Sequence, residues 1–515
     1  MKSRSPTFKD LPLDIVGSSV FGRYPKISVE QTFNMLISDE WLVGYAGYQN
    51  VLALNPNNPV PNPLNPSGVG RGAYHSTRLN RVIVVVFNAV YSLEVTIPPS
   101  GPPIIVSSFI GTIGTTAGDV FIAEDIQGHI AICDKHQIYI WDTIGNTFLP
   151  ATINGTTPLD FTPGYVAFHN GRFITVDIGT STPTQWRLSD PAQGNSVFPS
   201  TTQFTGGFQT KADRPVAALP FPGKGNMIMV MGSIVTEIWT DVGAALFPYQ
   251  RSTGTNIDYG CLNADTIATL DNYTCWVAGN DRSGPAILVS TGGLPERIST
   301  DGIDFVLATL SAPQDSHGFM FRQDGHIIYQ VVFPTDNVSY AYDFTTKRFF
   351  TVTDENMNYH PAKKAVYVTN TYFFISLNDG NFYQFDSSVT NINYGYNAQH
   401  ALSIFEIPRV RVCRTVRLPD TAPFITNNLT FPIEMGIADA TTFPPSTTPR
   451  VDLSVSRDGG YNFSNFDSMN LNPIGDYKNR FIYYGLGWGN EITPQFRFWG
   501  LGRFVCGNGT LSIYQ

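Results

Sequence analysis

The sequence has little charge and lacks the patterns that predict helical or membrane-spanning proteins. Only 14% of its 515 residues are charged, whereas 13% are aromatic, and it contains 46 glycines and 36 prolines. No capped helical period extends over three turns, and residues 263–270 are the best short candidate for a helix. Apolar runs such as residues 82–87 are too short to cross a bilayer. This composition, with few charged residues and many aromatic residues, glycines and prolines, predicts an all-β protein that is rich in turns and packed with aromatic side chains.

The chain also lacks paired cysteines, an export signal and an excess of positive charge. Its five cysteines are odd in number and widely spaced, without a CxxC pair, which favours synthesis in a reducing cytosol. Residues 1–4 are basic, but no apolar segment follows them, so no secretory signal is predicted. The net charge of −9 disfavours tight wrapping of nucleic acid, because it repels a polyphosphate.

Motifs for catalysis are missing as well. The eight histidines lack metal-ligand spacing. His129 and His136 bracket Cys133, but on strands this pattern favours a structural role over zinc binding. The sequence contains no GxSxG nucleophile elbow and no phosphate-binding loop, and no spacing singles out a pair of facing carboxylates. It therefore predicts no catalytic residue, no cofactor and no metal, and hence a protein that is not an enzyme.

Residues 318–353 indicate most clearly how the chain folds, because they contain four short β-rich runs joined by three tight turns. Asp324-Gly325 supplies the positive φ angles of a two-residue hairpin turn. Residues 338–344 alternate between large apolar and small or polar side chains, which is the period of a strand with two different faces. A lone meander of this kind leaves its faces incompletely covered, so it requires similar neighbours. This pattern predicts one blade of a propeller.

An apolar strand, a short polar turn and a second apolar strand recur about seven times from residue 71 onward. The spacing is irregular, which excludes strict WD or kelch repeats. We expect an all-β fold with a β-propeller of six or seven antiparallel blades over residues 51–390, with loop insertions. The repeats are residues 79–95, 129–142, 165–177, 227–241, 273–289, 318–353 and 366–386.

The flanking residues do not show this repeat. Residues 1–50 mix prolines and glycines with a compact apolar patch, which predicts an extended N-terminal arm. Residues 55–66 hold five prolines and five asparagines, which predicts a surface loop or linker. The pattern changes after about residue 391, and we expect residues 391–515 to form a separate C-terminal β domain with a linker at residues 441–449.

A turn motif in the C-terminal region resembles the Asp box of sialidases and other propellers. Ser456, Asp458, Gly460 and Phe463 follow its spacing, although Asn462 and Phe463 stand where the consensus has Thr and Trp. We expect Asp458 to accept backbone amides, Gly460 to adopt the left-handed conformation and Phe463 to point inward. The motif is predicted to be a structural turn and not an active site, and its single copy argues against a sialidase.

The most basic segment of this acidic chain lies at residues 401–418. It contains Arg409, Arg411, Arg414 and Arg417. Two interpretations remain open: these arginines form the solvated face of a strand, or they form a strip that faces a partner or DNA.

Short motifs spread over nearly the whole chain suggest a family. They are residues 31–36, 44–49, 68–72, 236–239, 243–248, 456–463, 480–488, 496–499 and 511–514. In this order they resemble the packaged-DNA stabilisation proteins of short-tailed bacteriophages, which are also called tail accessory factors, tail hubs or nozzles.

The resemblance implies a structural virion protein that is assembled in the host cytoplasm and forms a six-fold ring beneath the portal and adaptor rings. Such a ring closes the head after packaging and carries tail fibres or tailspikes and the tail needle or plug. The implied partners are further copies of the chain, the head-to-tail adaptor protein, these tail parts, and double-stranded DNA that passes without sequence-specific binding. No membrane partner is expected.

Two alternatives from other classes remain open. One is a tail-associated glycan hydrolase, which paired carboxylates over a pocket would favour. The other is a glycan-binding (lectin) propeller, which a shallow groove lined by aromatic side chains would favour.

Overall fold

The structure is a computed structural model, and it describes residues 8–21, 30–52, 68–99, 101–179, 184–200, 204–245, 247–396, 401–434, 449–471 and 481–514. The basic residues 1–4, the predicted loop at residues 55–66 and residues 441–448 of the predicted linker lie outside these ranges. Within them the protein is all-β, with one short α-helix, Asp301–Thr309.

Seven four-stranded antiparallel sheets form the blades of a β-propeller, as the sequence predicts. Each of the seven recurring hairpins falls within one blade. Blade 1 consists of Gly70–Ser76, Arg81–Val86, Ala89–Thr96 and Ile104–Thr112; blade 2 of Phe121–Glu124, His129–Cys133, Ile138–Asp142 and Thr147–Pro150; blade 3 of Pro163–His169, Arg172–Asp177, Gln185–Leu188 and Thr205–Gly207; blade 4 of Pro215–Pro220, Met227–Gly232, Thr236–Asp241 and Tyr249–Ile257. Blade 5 consists of Ala268–Leu270, Tyr273–Ala278, Ala286–Ser290 and Glu296–Arg297; blade 6 of His317–Gln323, His326–Phe333, Val338–Asp343 and Arg348–Thr351; blade 7 of Ala362–Val368, Thr371–Ser376, Phe382–Asp386 and Gly47–Asn50.

Blade 6 confirms the prediction for residues 318–353. Its first two strands pair antiparallel from His317 opposite Val332 to Gln323 opposite His326. The turn between them is Asp324-Gly325, with φ angles of +48° and +89°. Two positive φ angles in sequence give a type I′ turn, whose twist matches that of the strands.

The ring is closed by a strand from the beginning of the chain. The first strands of blades 6 and 7, and those of blades 7 and 1, lie side by side. The fourth strand of blade 7 is Gly47–Asn50, which pairs antiparallel with Phe382–Asp386. Because blade 1 follows this strand in sequence and blade 7 ends the repeat, the strand joins the two ends of the propeller.

The remaining strands extend blades 6 and 7 or form smaller sheets. Gln31–Phe33 joins the outer strand of blade 6 to Arg409–Val412, so that one sheet continues from the propeller into the C-terminal strands. The other members of this continuation are Glu491–Trp499, Arg450–Ser456, Asp467–Asn470 and Val416–Arg417, and blade 7 is extended by Ile392–Tyr396 and Leu402–Phe405. The separate sheets are Phe8–Leu13 with Gly509–Tyr514, Phe424–Thr430 and Ile482–Gly489; Met35–Ser38 with Trp41–Gly44 and Val505–Cys506; and Thr152–Ile153 with Thr157–Pro158 and Val197–Phe198.

Strands from residues 8–50 therefore pair with sheets on both sides of the predicted boundary at residue 391. The division into an arm at 1–50, a propeller at 51–390 and a C-terminal domain at 391–515 stays a prediction. Buried apolar side chains form one cluster across blades 2 to 5 and another among the C-terminal strands and residues 11–42.

The best short candidate for a helix, residues 263–270, does not form an α-helix. These residues form a short 3-10 turn, Ala264–Thr266, followed by the first strand of blade 5, whereas the α-helix is Asp301–Thr309. Thr300 caps this helix, since its hydroxyl accepts the N–H of Ile303 at 3.3 Å, and Asp301 and Asp304 lie in its first turn. Two further 3-10 turns are Pro191–Gln193 and Pro313–Asp315.

Candidate assembly surface

An apolar row crosses the exposed face of the sheet that contains the first and last described strands. Phe8 lies opposite Tyr514, Tyr514 opposite Ile425, and Ile425 opposite Trp488. Residues directly opposite one another on neighbouring strands share a face of the sheet. The exposed fractions are 69% for Phe8, 43% for Ile425 and 67% for Trp488, and Tyr514 is half-buried. We call these four side chains the apolar ladder.

The opposite face of this sheet belongs to the core of the C-terminal strands. Four apolar side chains lie opposite one another across this face: Leu11, Leu511, Leu429 and Tyr483. The last three are at most 1% exposed. Such a sheet normally turns polar side chains to water. Here the apolar ladder faces outward instead. Beside it runs a polar row that contains Asp10, Ser512 and Asn428 and ends in Tyr484, which is 66% exposed. Exposed apolar patches of this kind mark interaction sites.

A buried ion cluster links three blades that are not neighbours. Lys363, on the first strand of blade 7, pairs with Asp265 beside blade 5 at 2.5 Å and with Asp119 beside blade 2 at 2.8 Å. Lys364 pairs with Asp265 at 3.1 Å, and Lys135 pairs with Asp119 at 2.6 Å. Side chains from blades 2, 5 and 7 can meet only in the middle of the ring. The cluster therefore bridges the axis of the propeller.

The charges of this cluster compensate one another. Burial alone would lower the pKa of Lys363, but Asp265 and Asp119 outweigh it and hold that pKa above its usual value. Burial would likewise raise the pKa of Asp119, but Lys363 and Lys135 hold it well below its usual range. Both groups are thus charged at neutral pH, and the charge of each is stabilised in the interior by the opposite charge of the other.

The turn that resembles an Asp box is held by hydrogen bonds to the carboxylate of Asp458. Asp458 Oδ1 accepts the N–H groups of Tyr461 at 3.0 Å and Asn462 at 2.9 Å, and Ser456 Oγ donates to the same oxygen at 2.6 Å. These bonds, led by that from Asn462, lower the pKa of Asp458 to about 2. Gly460 has φ of +94°, and Phe463 is half-buried. Whether the turn has any role beyond the local fold stays a prediction.

The four arginines of the predicted basic strip fall into two pairs. Arg409 and Arg411, on one strand, are buried, and their guanidinium groups bond inside the protein. Arg414 and Arg417 are exposed, and Arg417 pairs with Glu491. The structure therefore does not bring the four together on one face, and a partner-facing or DNA-facing role for Arg414 and Arg417 stays a prediction.

The described part of the chain contains no group of three or more His, Cys, Asp or Glu side chains that could hold a metal ion. His129 bonds through Nδ1 to Asp125 at 2.8 Å, and Cys133 is buried. No helix in the described ranges is long and apolar enough to cross a membrane. That the protein is not an enzyme stays a prediction.

The chain matches one family of known proteins. A family model described as "Bacteriophage P22 Gp10, beta-propeller" matches residues 67–390, more than half of the chain. No curated protein matches the chain. Among solved structures, "Crystal Structure of the N-terminal Domain of Nup159" has 9% identity and a TM-score of 0.39, covering 72% of this chain and 99% of that one. "Crystal Structure of Mitotic Checkpoint Complex" has 12% identity and a TM-score of 0.36, covering 66% and 92%. Scores this low carry no argument about function.

Proposed function

We propose a place in the virion from the premise that this chain belongs to the bacteriophage DNA-stabilisation tail protein family of P22 Gp10. The family is one of structural phage proteins with a β-propeller, and the chain is accordingly a virion structural protein. The proposal is that it forms the tail nozzle or hub, a cyclic homo-oligomer of six copies by resemblance. This ring would extend the portal-adaptor channel, retain packaged DNA and anchor fibres or spikes and a plug.

The apolar ladder carries this proposal. A closed propeller does not need partners for its own stability, yet this chain adds a sheet with a row of apolar side chains on its outward face. Burying apolar surface contributes about 25 cal/mol per Å², so covering the rings of Phe8 and Trp488 favours association. Aromatic side chains are also the residues enriched at the centres of protein interfaces. A heterologous contact that is repeated by rotation closes into a ring.

The ion cluster at the propeller axis supports a DNA path outside the propeller. Lys363, Asp265 and Asp119 bridge the axis, so a duplex could not pass there without breaking their pairs. A conduit would therefore lie between subunits, around the axis of the oligomer. The net charge of −9 would repel DNA from its wall and so prevent sticking. In this arrangement Arg414 and Arg417 are proposed to face a partner or the DNA.

Cryo-electron microscopy of the intact particle tests the assignment. We expect this chain as a ring on the tail axis, in contact with the adaptor protein. Density for it as a peripheral monomer off the axis, or as a fibre tip that touches the host, would refute the nozzle proposal.

A matched pair of variants tests the ladder separately. Ile425→Asp places a charge in the ladder, and Ile178→Asp places the same charge on blade 3, where the isoleucine is also 43% exposed. We expect particles made with the Ile178→Asp chain to contain the ring and particles made with the Ile425→Asp chain to lack it. Equal incorporation of both would show that the ladder is not a subunit or adaptor contact.

A glycan-binding role is the second candidate, and one cavity favours it. A cavity of about 520 Å³ lies between the turns of blades 5 to 7, with Phe321 and Phe385 among its buried residues and Tyr367 and Tyr372 at its side. Aromatic rings with polar neighbours suit the apolar face and the hydroxyl groups of a sugar. Binding of host polysaccharide by the purified protein that is lost in Tyr367→Ala would support this role. Turnover of that polysaccharide would instead support the hydrolase alternative.

A further inference from the structure

A cavity of about 290 Å³ lies where the turns of blades 6 and 7 meet the C-terminal strands. This cavity is distinct from the cavity proposed for glycan binding, although Asp324 and Ser387 line both. Its lining includes Gly44, Asp324, Thr390, Arg409, Arg503 and Phe504. Arg409 and Arg503 supply positive charge on the side of the C-terminal strands, and Asp324 supplies a carboxylate on the side of blade 6.

Arg409 brings a nearly inaccessible guanidinium to this cavity. The residue is 3% exposed. Nη2 donates to the carbonyl oxygen of Thr390 at 3.1 Å, and Nη1 donates to that of Gly500 at the long distance of 3.4 Å. Nε has no hydrogen-bond partner among the described residues. The guanidinium also lies 6.0 Å from the ring of Phe504. Most of its donor capacity is therefore unused.

Arg411, two residues further along the same strand, shows how this chain satisfies a buried guanidinium. Its Nη2 pairs with the carboxylate of Glu30, its Nε donates to the carbonyl oxygen of Ile15 at 2.8 Å, and its Nη1 donates to Thr32 Oγ1 at 3.1 Å. Arg409 has the same burial without such a carboxylate contact. The difference between these two arginines indicates that the counterpart of Arg409 comes from outside the described contacts.

Gly44 lies against the buried donors of Arg409 and lines the same cavity. A side chain at position 44 would crowd them, since a Cβ atom on Gly44 would lie 3.1 Å from Nε and 3.3 Å from Nη2. Burial lowers the pKa of Arg409 to about 10, against the influence of Glu406, so the group is still charged at neutral pH. A buried charge without a good partner destabilises the fold, and an incoming anion would relieve this destabilisation.

We propose that this cavity is a binding site for an oxyanion, a carboxylate or a phosphate group. The planar guanidinium of Arg409 would bind it through Nε and Nη, the fork geometry that matches both kinds of anion. Arg503, whose side chain is 75% exposed and pairs with Glu434 at 3.6 Å, would attract the anion at the mouth of the cavity. This site does not depend on the proposed place of the chain in a ring.

Thermal unfolding of the full chain at constant ionic strength tests the site, with inorganic phosphate, acetate and chloride as probes. We expect phosphate or acetate, but not chloride, to raise the melting temperature in a saturable way, because a ligand that binds only the folded state stabilises it. Whichever anion acts at the lower concentration identifies the group that the site takes. Failure of both to stabilise the wild type beyond chloride would overturn the proposal.

Variants separate specific binding from general salt effects. Arg409→Met removes the charge but retains much of the volume, so we expect it to be at least as stable as wild type without anion and to lose the anion effect entirely. Gly44→Ala retains Arg409 but crowds its Nε, so it should also lose the stabilisation by anions. It provides the test if Arg409→Met does not fold. Anion-dependent stabilisation that persists in either of these two variants, provided that the variant folds, would refute the site.

A matched pair of surface arginines provides the control. Arg503→Ala should weaken the apparent affinity for the anion by about tenfold, because it removes a cation from the mouth of the cavity. Arg282→Ala removes an arginine of nearly equal exposure, 76%, from blade 5, and should leave the affinity unchanged. Equal affinities in the two variants would contradict the assignment of Arg503 to the site.

Discussion

The closing strand Gly47–Asn50 offers a sharp test of the ring, because one added methyl group should displace it. A Cβ atom on Gly47 would lie 2.2 Å from the carbonyl oxygen of Asn391 and 2.5 Å from that of Val389. Both are backbone atoms, which cannot rotate away as a side chain can. Gly47→Ala therefore forces the strand away from residues 389–391 and strains its position between them and Phe382–Asp386.

The expected cost follows from the contacts that this displacement disrupts. Gly47 N–H donates to Val389 O at 2.7 Å, and Tyr48 N–H donates to Asn391 O at 3.1 Å. Overpacking costs about 1–3 kcal/mol and each lost hydrogen bond about 0.5–1.5 kcal/mol, so the free energy of unfolding should fall by roughly 2–6 kcal/mol. This is a large part of the about 5–15 kcal/mol that is typical of folded domains.

The assay is urea unfolding combined with hydrogen exchange of the two paired strands. We expect Gly47→Ala to unfold at lower urea and to exchange faster at residues 47–50 and 382–386 than elsewhere in blade 7. Gly225→Ala is the control, because its added Cβ atom would meet nothing within 4 Å, and it should change stability by less than about 0.5 kcal/mol. If the two variants behave alike, the strand does not hold the ring closed.

Four further perturbations probe other parts of the fold. Lys363→Met leaves buried carboxylates without their cation and should lower the free energy of unfolding by about 3–5 kcal/mol, measured by urea denaturation. The depressed pKa of Asp119 stabilises the fold fully above its unfolded pKa of about 3.9, and this stabilisation should be lost as the pH falls further in an acid titration followed by fluorescence. The hydrogen bond to Asp343 raises the pKa of His326, although burial opposes it. The stability that protonated His326 contributes is therefore full below about pH 6.5 and is lost as the pH rises through the raised pKa. In Asp343→Asn this dependence of the melting temperature on pH should vanish. Thr300→Ala should cost about 1 kcal/mol by removing the helix cap, whereas Thr300→Ser should not.

The blades could be predicted from the sequence because their signals are local. In blade 6 the Asp324-Gly325 turn and the alternation from residue 338 act within a few residues of one another, and the structure has both. The closing strand could not be predicted in the same way. Gly47 pairs with Asp386, and nothing in the local sequence of either residue indicates a partner more than 300 residues away.

The candidate surfaces were harder to predict, because residue type does not reveal burial. Arg409 and Arg411 are basic and therefore suggest a surface strip, yet both are buried where C-terminal strands meet residues 15–44. Ile425 and Trp488 suggest core residues, yet they face outward. The helix after Thr300 was missed because nine residues are too few to show a periodic pattern, although the capping threonine and Asp301 gave a usable signal.

The pairing of Phe8–Leu13 with Gly509–Tyr514 has a consequence for synthesis. A ribosome adds residues one after another, so Phe8 has no partner until residue 514 has been made. The apolar ladder includes Phe8 and Tyr514 together, and a chain interrupted earlier cannot present it. If the ladder is a contact between subunits, a prematurely terminated chain would be excluded from the ring without any separate proofreading step.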